Sequence, residues 1–183
     1  MSHPQETSFL AVLADAGFPA PSVAAIRDQF HPLPNALAAL LAAPKGTLDG
    51  AKLSELFDSA TSDELKHSLA AVIHQTRPRG LDEWLLAAAR DRRSEAARNL
   101  LAAAVAKMLP PERAVPVLLE VFHDAPLAAV HPLGKVGDER VREILTSALP
   151  TATGPLRREL RQAIARIGQR LAKASKRTRC VRS

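Results

Sequence analysis

The sequence contains very few aromatic residues and only one cysteine. Phe, Trp and Tyr together make up 3% of its 183 residues, and Tyr is absent altogether. The apolar content of 46% comes mainly from Ala, Leu and Val. Because strands favour β-branched and aromatic side chains, this composition predicts closely packed helices. Cys180 alone cannot form an internal disulfide or a cysteine-rich zinc site, which agrees with a reducing, cytoplasmic location.

Long apolar runs are also missing. Pro or a charged residue interrupts every Ala/Leu-rich stretch before it reaches the length of a membrane span, so no transmembrane helix is predicted. The first residues, MSHPQETSFLAVLADAG, have Glu6 where a secretory signal would carry basic residues, and no export signal is predicted. At this length we expect one domain with a substantial core.

The net charge of +6 is unevenly distributed along the chain. Residues 154–183 carry ten Lys and Arg against a single acid, Glu159, which gives them a net charge of +9. The other 153 residues hold 15 basic and 18 acidic side chains, for a net charge of −3. A basic end on a mildly acidic body predicts contact with nucleic acid, an anionic lipid surface or an acidic protein.

Helix signals recur at short intervals and are separated mostly by Pro and Gly. Short helices are predicted within residues 5–44, and from Thr47 onward the helices come in pairs, the last being DERVREILTSAL with GPLRRELRQAIARIG. The second helices of the pairs end at Gln75, Leu109, Gly137 and Gly168, with separations of 34, 28 and 31 residues. A spacing near 30 residues is typical of a helical-pair repeat. The predicted core residues are Leu37, Leu41, Leu69, Ile73, Leu85, Leu100, Leu101, Val105, Leu118, Leu119, Leu145, Leu160 and Ile164.

The stretch GKVG, residues 134–137, has two interpretations. Two Gly and a Lys resemble part of a phosphate-binding loop, but the P-loop pattern G-x-x-x-x-G-K-[ST] and its preceding strand are not found here. The stretch favours a corner between helices, where Gly134 lets the partner helix approach and Gly137 forms a left-handed C-cap. Asp138 is then predicted to cap the following helix.

The His and acidic residues do not form a recognised catalytic or metal-binding pattern. The six His include no HExxH pair, so no metal site is predicted. Asp82 and Glu83 are explained by the dipole at a helix N-terminus, and the spacing of Trp84 favours a core position over a stacking surface. We therefore predict no enzyme activity and no cofactor.

Two stretches, ERAVPVLLEVFHDAPLAAVHPLGKVGDERVREIL and LRRELRQAIARIG, resemble the HEAT-like repeat proteins, whose alternating helices meet at an Ala-Leu-Gly-x-Ile-Gly corner. The resemblance spans Pro32 to Gly168 and implies an all-α fold, an α-solenoid of about ten to eleven helices in antiparallel pairs. Residues 1–46 would be N-terminal capping helices, 47–168 the repeats and 169–183 a basic extension that is mobile after Ala174. The family's usual role implies a non-enzymatic protein-binding or scaffold module. One branch, the alkylpurine DNA glycosylases, uses several Trp, whereas this chain has one Trp.

Two basic clusters supply the candidate binding residues. The predicted binding surface comprises Arg93, Arg98, Lys107, Arg157, Arg158, Arg161, Arg170 and Lys173. An acidic protein is the predicted partner, and sequence-independent binding of nucleic acid through the basic C-terminal region is the alternative. Simpler interpretations stay open beside both, namely a solvated face and a solubilising terminal helix. The last residues, CVRS, match only the outline of a prenylation box.

Overall fold

A computed structural model shows the chain as helices joined by short links. It describes residues 43–61, 63–92 and 95–181, without the side chains of 95, 96 and 176–181. These residues form eight helices and no strand, which confirms an all-α fold for the described part of the chain. The helices are α1 (Gly50–Ser59), α2 (Asp63–Thr76), α3 (Asp82–Arg90), α4 (Glu95–Met108), α5 (Pro111–Asp124), α6 (Pro126–Val136), α7 (Glu139–Ala148) and α8 (Gly154–Val181).

Some predictions fall outside these residues. The short helices expected within residues 5–44, with the core positions Leu37 and Leu41, lie outside the described part of the chain. Within the described part, no helix is both long enough and apolar enough to cross a membrane.

The chain divides into two compact units, Met1–Trp84 and Leu85–Ser183. In the described part of the first unit, α1 packs against α2. Asp49 starts α1, because its side chain accepts a hydrogen bond from the backbone N–H of Ala51 at 3.0 Å. Trp84 is half-buried, with its ring edge-on to Phe57 at 5.2 Å between centroids. Its Nε1 donates to Asp58 at 3.0 Å, so the polar atom of this partly buried ring is satisfied.

In the second unit α6 is the central helix. It packs against α4, α5 and α8, while α7 packs against α8. The fully buried large side chains of this unit are Leu85, Leu101, Leu118, Leu133, Leu145, Leu160 and Ile167. Burying each stabilises the fold by about 1.5–3 kcal/mol relative to exposure. The predicted core positions Leu100, Leu119 and Ile164 are only half-buried, because each lies one residue away from the centre of its helix's buried face.

The GKVG stretch forms the end of α6 and the link to α7. A Cβ added to Gly134 would lie 3.0 Å from both Cα and Cβ of Ala163 on α8, which confirms that this glycine permits a close helix contact. The predicted left-handed conformation of Gly137 is wrong, since its backbone is extended with φ −62° and ψ 150°. Glycine is needed there because a Cβ would lie 2.5 Å from Cγ1 of Val141. Asp138 caps α7 as predicted, accepting from the backbone N–H of Val141 at 3.0 Å.

Helix α8 is longer than the sequence pattern predicts. It was expected to end at Gly168, and instead it runs from Gly154 to Val181. The residues after Gly168 are mostly good helix formers, which offset the cost of about 1 kcal/mol for a glycine inside a helix. Among the described side chains of α8, the last buried one is Ile167, and 172–175 are all exposed. The boundary expected between residues 168 and 169 therefore lies inside one continuous helix.

Candidate binding surfaces on the second unit

The first cluster of predicted binding residues comprises Arg93, Arg98 and Lys107. Those that the structure describes are buried or half-buried. Arg93 lies outside the described residues. Arg98 is only 6% exposed, and its Nη2 lies 3.6 Å from Oδ2 of Asp124. Its Nε has no hydrogen-bond partner among the described residues. Lys107 is half-buried on α4. None of the residues described in this cluster therefore forms an open cationic surface.

Two neighbouring arginines pair with acids on α5. Arg92 donates to both carboxylate oxygens of Asp124, at 3.1 and 2.7 Å. Arg90 donates to Glu120, with Nη2 at 3.1 Å from Oε1. The hydrogen bond from Arg92 holds the pKa of Asp124 below its ordinary value, and that from Arg90 does the same for the pKa of Glu120. These forked pairs join positions 30 and 32 residues apart, close to the repeat spacing of the sequence.

The second cluster, on α8, splits into two faces. Arg157, Arg158 and Arg161 are exposed and form the proximal face. Arg166, Arg170 and Lys173 follow at intervals of four and three residues, so they share another side of the helix, the distal face. With 3.6 residues per turn, Arg166 lies about 180° around the helix from Arg157. The cations that appear continuous in sequence therefore face in different directions.

Acids are scarce on both faces. Glu159 is the only acid of α8 and lies 3.6 Å from Nε of Arg158. Within the described residues, Arg157, Arg161, Arg170 and Lys173 form no ion pair. The four cations are thus available to an external anion.

The distal face adjoins two basic residues of α6. Nη1 of Arg166 lies 3.2 Å from Nδ1 of His131, and Lys135 follows His131 by one helical turn. The contact of Gly134 with Ala163 brings the two helices together here. We call His131, Lys135, Arg166, Arg170 and Lys173 the seam surface. His131, Lys135 and Lys173 are exposed, and the two arginines are half-buried.

Three members of the seam surface were absent from the predicted binding set, namely His131, Lys135 and Arg166. The sequence did contain a signal for two of them. When the corners GKVG and ARIG are placed in register, Lys135 and Arg166 occupy the same position. A basic residue at one register position in successive pairs indicates a shared surface. The contact of His131 with Arg166 has no equivalent signal, because it depends on how the helices pack.

The His131–Arg166 contact is a hydrogen bond when Nδ1 of the imidazole carries no proton. An arginine only donates, so Nδ1 of His131 must accept, which places the ring proton on Nε2 and leaves the ring neutral. Burial, followed by the positive charges of Lys135 and Arg166, holds the pKa of His131 below its ordinary value. Glu159 opposes this shift. The seam surface is therefore positively charged and can attract anions.

No family model, curated protein or solved structure matches this chain. Its function must be inferred from its own surfaces. Besides the seam surface, the second unit has a groove of about 500 Å³ lined by side chains of α5 and α7, by the link between α7 and α8, and by the first residues of α6 and α8. Most of these side chains are apolar, such as Phe122 and Ile144, and His123 is the one ionisable residue among them. In the described part of the chain, no three or more His, Cys, Asp or Glu side chains are grouped so that they could hold a metal ion.

Proposed function

We propose that this chain is a non-enzymatic binding module, an α-solenoid of HEAT-like helix pairs, that recognises an acidic partner protein through the seam surface. One observation carries the proposal. Arg166 of α8 meets His131 of α6, Lys135 lies one turn from His131, and Arg170 and Lys173 follow Arg166 on the same side of α8. No carboxylate in the described residues forms an ion pair with any of these four cations. By contrast, Arg90 and Arg92 are paired with acids on α5.

The repeat architecture is supported by contacts that recur at similar separations in sequence. Arg90 and Glu120 are 30 residues apart, Arg92 and Asp124 are 32 apart, and His131 and Arg166 are 35 apart. In a solenoid each helix pair contacts mainly the next one, which gives contacts separated by one repeat length. Such arrays use the surface formed by successive equivalent helices, and the seam surface lies on two of them, α6 and α8.

Charge complementarity between four cations and an acidic partner would affect specificity and association rate more than total affinity. An exposed ion pair contributes about 0.2–1 kcal/mol, so four such pairs would contribute a few kcal/mol at low salt. The contribution falls as ionic strength rises, because the Debye length is only about 8 Å at physiological salt. We therefore expect partner binding that weakens with salt but is retained in part by contacts of other kinds.

Most of the shifted pKa values in the described part of the second unit arise from ion pairs at the surface. Catalytic groups are usually shifted by burial or by like charges in a cleft. Here the pKa values of Glu120 and Asp124 are lowered mainly by hydrogen bonds from arginines at the surface. Among the described residues, the pKa of His131 is lowered mainly by burial and by the like charges of Lys135 and Arg166 at the seam surface. This arrangement stabilises bound negative charge without supplying a nucleophile and its base.

Sequence-independent binding of nucleic acid is the second candidate, and the length of the charged helix favours it. From Arg157 to Lys173 six cations are spread over ~24 Å of α8. They lie on both the proximal and distal faces, so an extended polyanion passing around the helix could contact both. No aromatic residue follows Phe122 in the sequence, which favours phosphate contacts over base stacking.

Two double variants test both candidates. R166E/R170E reverses the seam surface, and R157E/R161E is a matched control with the same spacing, helix and change in net charge. We expect R166E/R170E to lose the partner captured from a nuclease-treated native lysate, while R157E/R161E retains it. Equal recovery by both variants at the wild-type level would refute the seam surface as the binding site.

Mobility of short duplex DNA at low and moderate salt tests the second candidate with the same proteins. Nucleic-acid binding through α8 predicts a shift that both variants weaken to a similar degree. Each lost phosphate contact should reduce the slope of log K against log salt by about 0.9. No shift at low salt would remove this candidate.

A further inference from the structure

The seam surface contains an arginine with an unusual partner. Arg90 and Arg92 each donate to a carboxylate, whereas Arg166 donates to the neutral ring of His131 at 3.2 Å. A guanidinium presents five N–H donors in a fork that fits planar or tetrahedral oxyanions. Within the described residues, no carboxylate forms an ion pair with Arg166. Its charge is therefore available at a fixed place between two helices.

One group contacts this guanidinium, and a second lies one turn away on α6. His131 contacts it directly, and Lys135 follows His131 by one turn of α6. The position is set by helix packing, because the contact between Gly134 and Ala163 holds α6 against α8. The three side chains together supply guanidinium, ammonium and imidazole donors from two elements.

The charge of the cluster indicates which anion fits. With a neutral imidazole, Lys135 and Arg166 carry two positive charges. A carboxylate or a phosphodiester would neutralise only one of them. A phosphoryl monoester carries about −1.5 to −2 at pH 7 and offers three acceptor oxygens. It matches both the charge and the number of donor groups.

We propose that His131, Lys135 and Arg166 form a binding site for a phosphoryl dianion, carried by a phosphorylated side chain of the acidic partner. The proposal rests on the proposed function, since it names the group that the seam surface recognises. Glu159 is the one acid that acts on His131 from α8. It lies 3.6 Å from Nε of Arg158, which offsets part of its negative charge.

The charges around His131 predict that anion binding is coupled to protonation of its imidazole. Partial burial, followed by the charges of Lys135 and Arg166, lowers the pKa of His131, and Glu159 raises it. A bound dianion would offset the two cations and so raise the pKa of His131. Anion binding would then be accompanied by proton uptake at His131.

Histidine NMR on the full chain tests the site with inorganic phosphate as the probe. The Hε1 resonance of His131, assigned with H131Q, is titrated from pH 5 to 8 in phosphate and in KCl of equal ionic strength. We expect phosphate to raise the proton affinity of His131 about tenfold, with the other histidines unchanged. A uniform response of all histidines would overturn the proposal.

Neutral variants add a readout that does not involve the histidine signal. R166Q and K135Q should each weaken phosphate binding about tenfold, whereas R161Q, on the proximal face, should leave it unchanged. Circular dichroism melts establish that the variants are folded. Equal phosphate affinity of R166Q and R161Q would count against the site.

Peptides distinguish this inference from the proposed function. We expect an acidic peptide containing phosphoserine to bind more tightly than the same peptide with Ser or Glu at that position. If phosphate and phosphopeptide fail to bind while R166E/R170E still loses the partner, the phosphoryl site is wrong and the acidic partner stands. If duplex DNA shifts His131 and phosphate does not, a phosphodiester backbone replaces the phosphoryl dianion.

Discussion

Substituting two glycines by alanine should change stability in opposite directions. Gly134 and Gly168 both lie within helices of the second unit, α6 and α8. A Cβ on Gly134 would lie 3.0 Å from the backbone Cα of Ala163, whereas a Cβ on Gly168 would lie 3.6 Å from the flexible end of Arg142. The first contact requires two helices to move apart, and the second is an ordinary van der Waals distance.

The magnitudes follow from two opposing effects. Alanine stabilises a helix interior by about 0.5–1 kcal/mol relative to glycine. G168A should therefore be more stable than the wild type by roughly that amount. Overpacking a tight contact costs about 1–3 kcal/mol, which exceeds the helix gain at Gly134. We expect G134A to be less stable than the wild type by about 1 kcal/mol, equivalent to roughly 2–4 °C in melting temperature.

Chemical denaturation followed by far-UV circular dichroism measures both variants under one set of conditions. G134A should also lengthen the contact between His131 and Arg166, so phosphate affinity should fall with stability. A163G should cost less stability in the G134A background than in the wild type, because it removes one of the two clashing atoms. If G134A were as stable as G168A, the close contact of α6 with α8 would be refuted.

Three further predictions concern single side chains. D138A should lower the free energy of unfolding by about 1 kcal/mol, because α7 loses its N-cap, and D138N should retain most of the wild-type stability. Denaturant titration measures both variants, and equal values would exclude the capping role. R98A should cost about 2 kcal/mol or more, since it empties a buried site beside Asp124, while R157A should stay within about 0.5 kcal/mol; similar values would contradict the burial of Arg98. The pKa of His131 is lower in the folded chain than in the unfolded chain. Its contribution to stability is therefore fully present above the unfolded pKa of about 6.5, and it declines as the pH falls from there towards the lower pKa of the folded chain. H131Q should remove this part of the decline in melting temperature between pH 7.5 and 5, and an unchanged pH slope would show that His131 is not responsible.

Local signals predicted the helices of the second unit closely. The predicted helix DERVREILTSAL, residues 138–149, extends beyond α7 by one residue at each end. Pro126 and Asp138 mark helix starts through their own backbone preferences, which need no distant partner. The end of α8 was missed, because glycine is only a weak helix breaker when good helix formers surround it.

The candidate site was less predictable, and Arg98 shows why. Its position in a basic cluster suggested a surface residue, yet it is buried beside Asp124 of the next helix pair. The net charge of a short stretch of sequence does not indicate which of its side chains form ion pairs with acidic residues of another repeat. The two faces of α8 could have been separated by helical periodicity, once the helix was known to continue past Gly168.

The sequence by itself determined the all-α composition, the corner at GKVG, the cap at Asp138 and the concentration of positive charge after residue 153. These features depend on residues close together in the chain, whose conformational preferences act locally. Tertiary structure alone decided that Arg98 is buried and that His131 meets Arg166. Both depend on packing between helices about one repeat apart, where the fit of Gly134 against Ala163 sets which side chains share a surface.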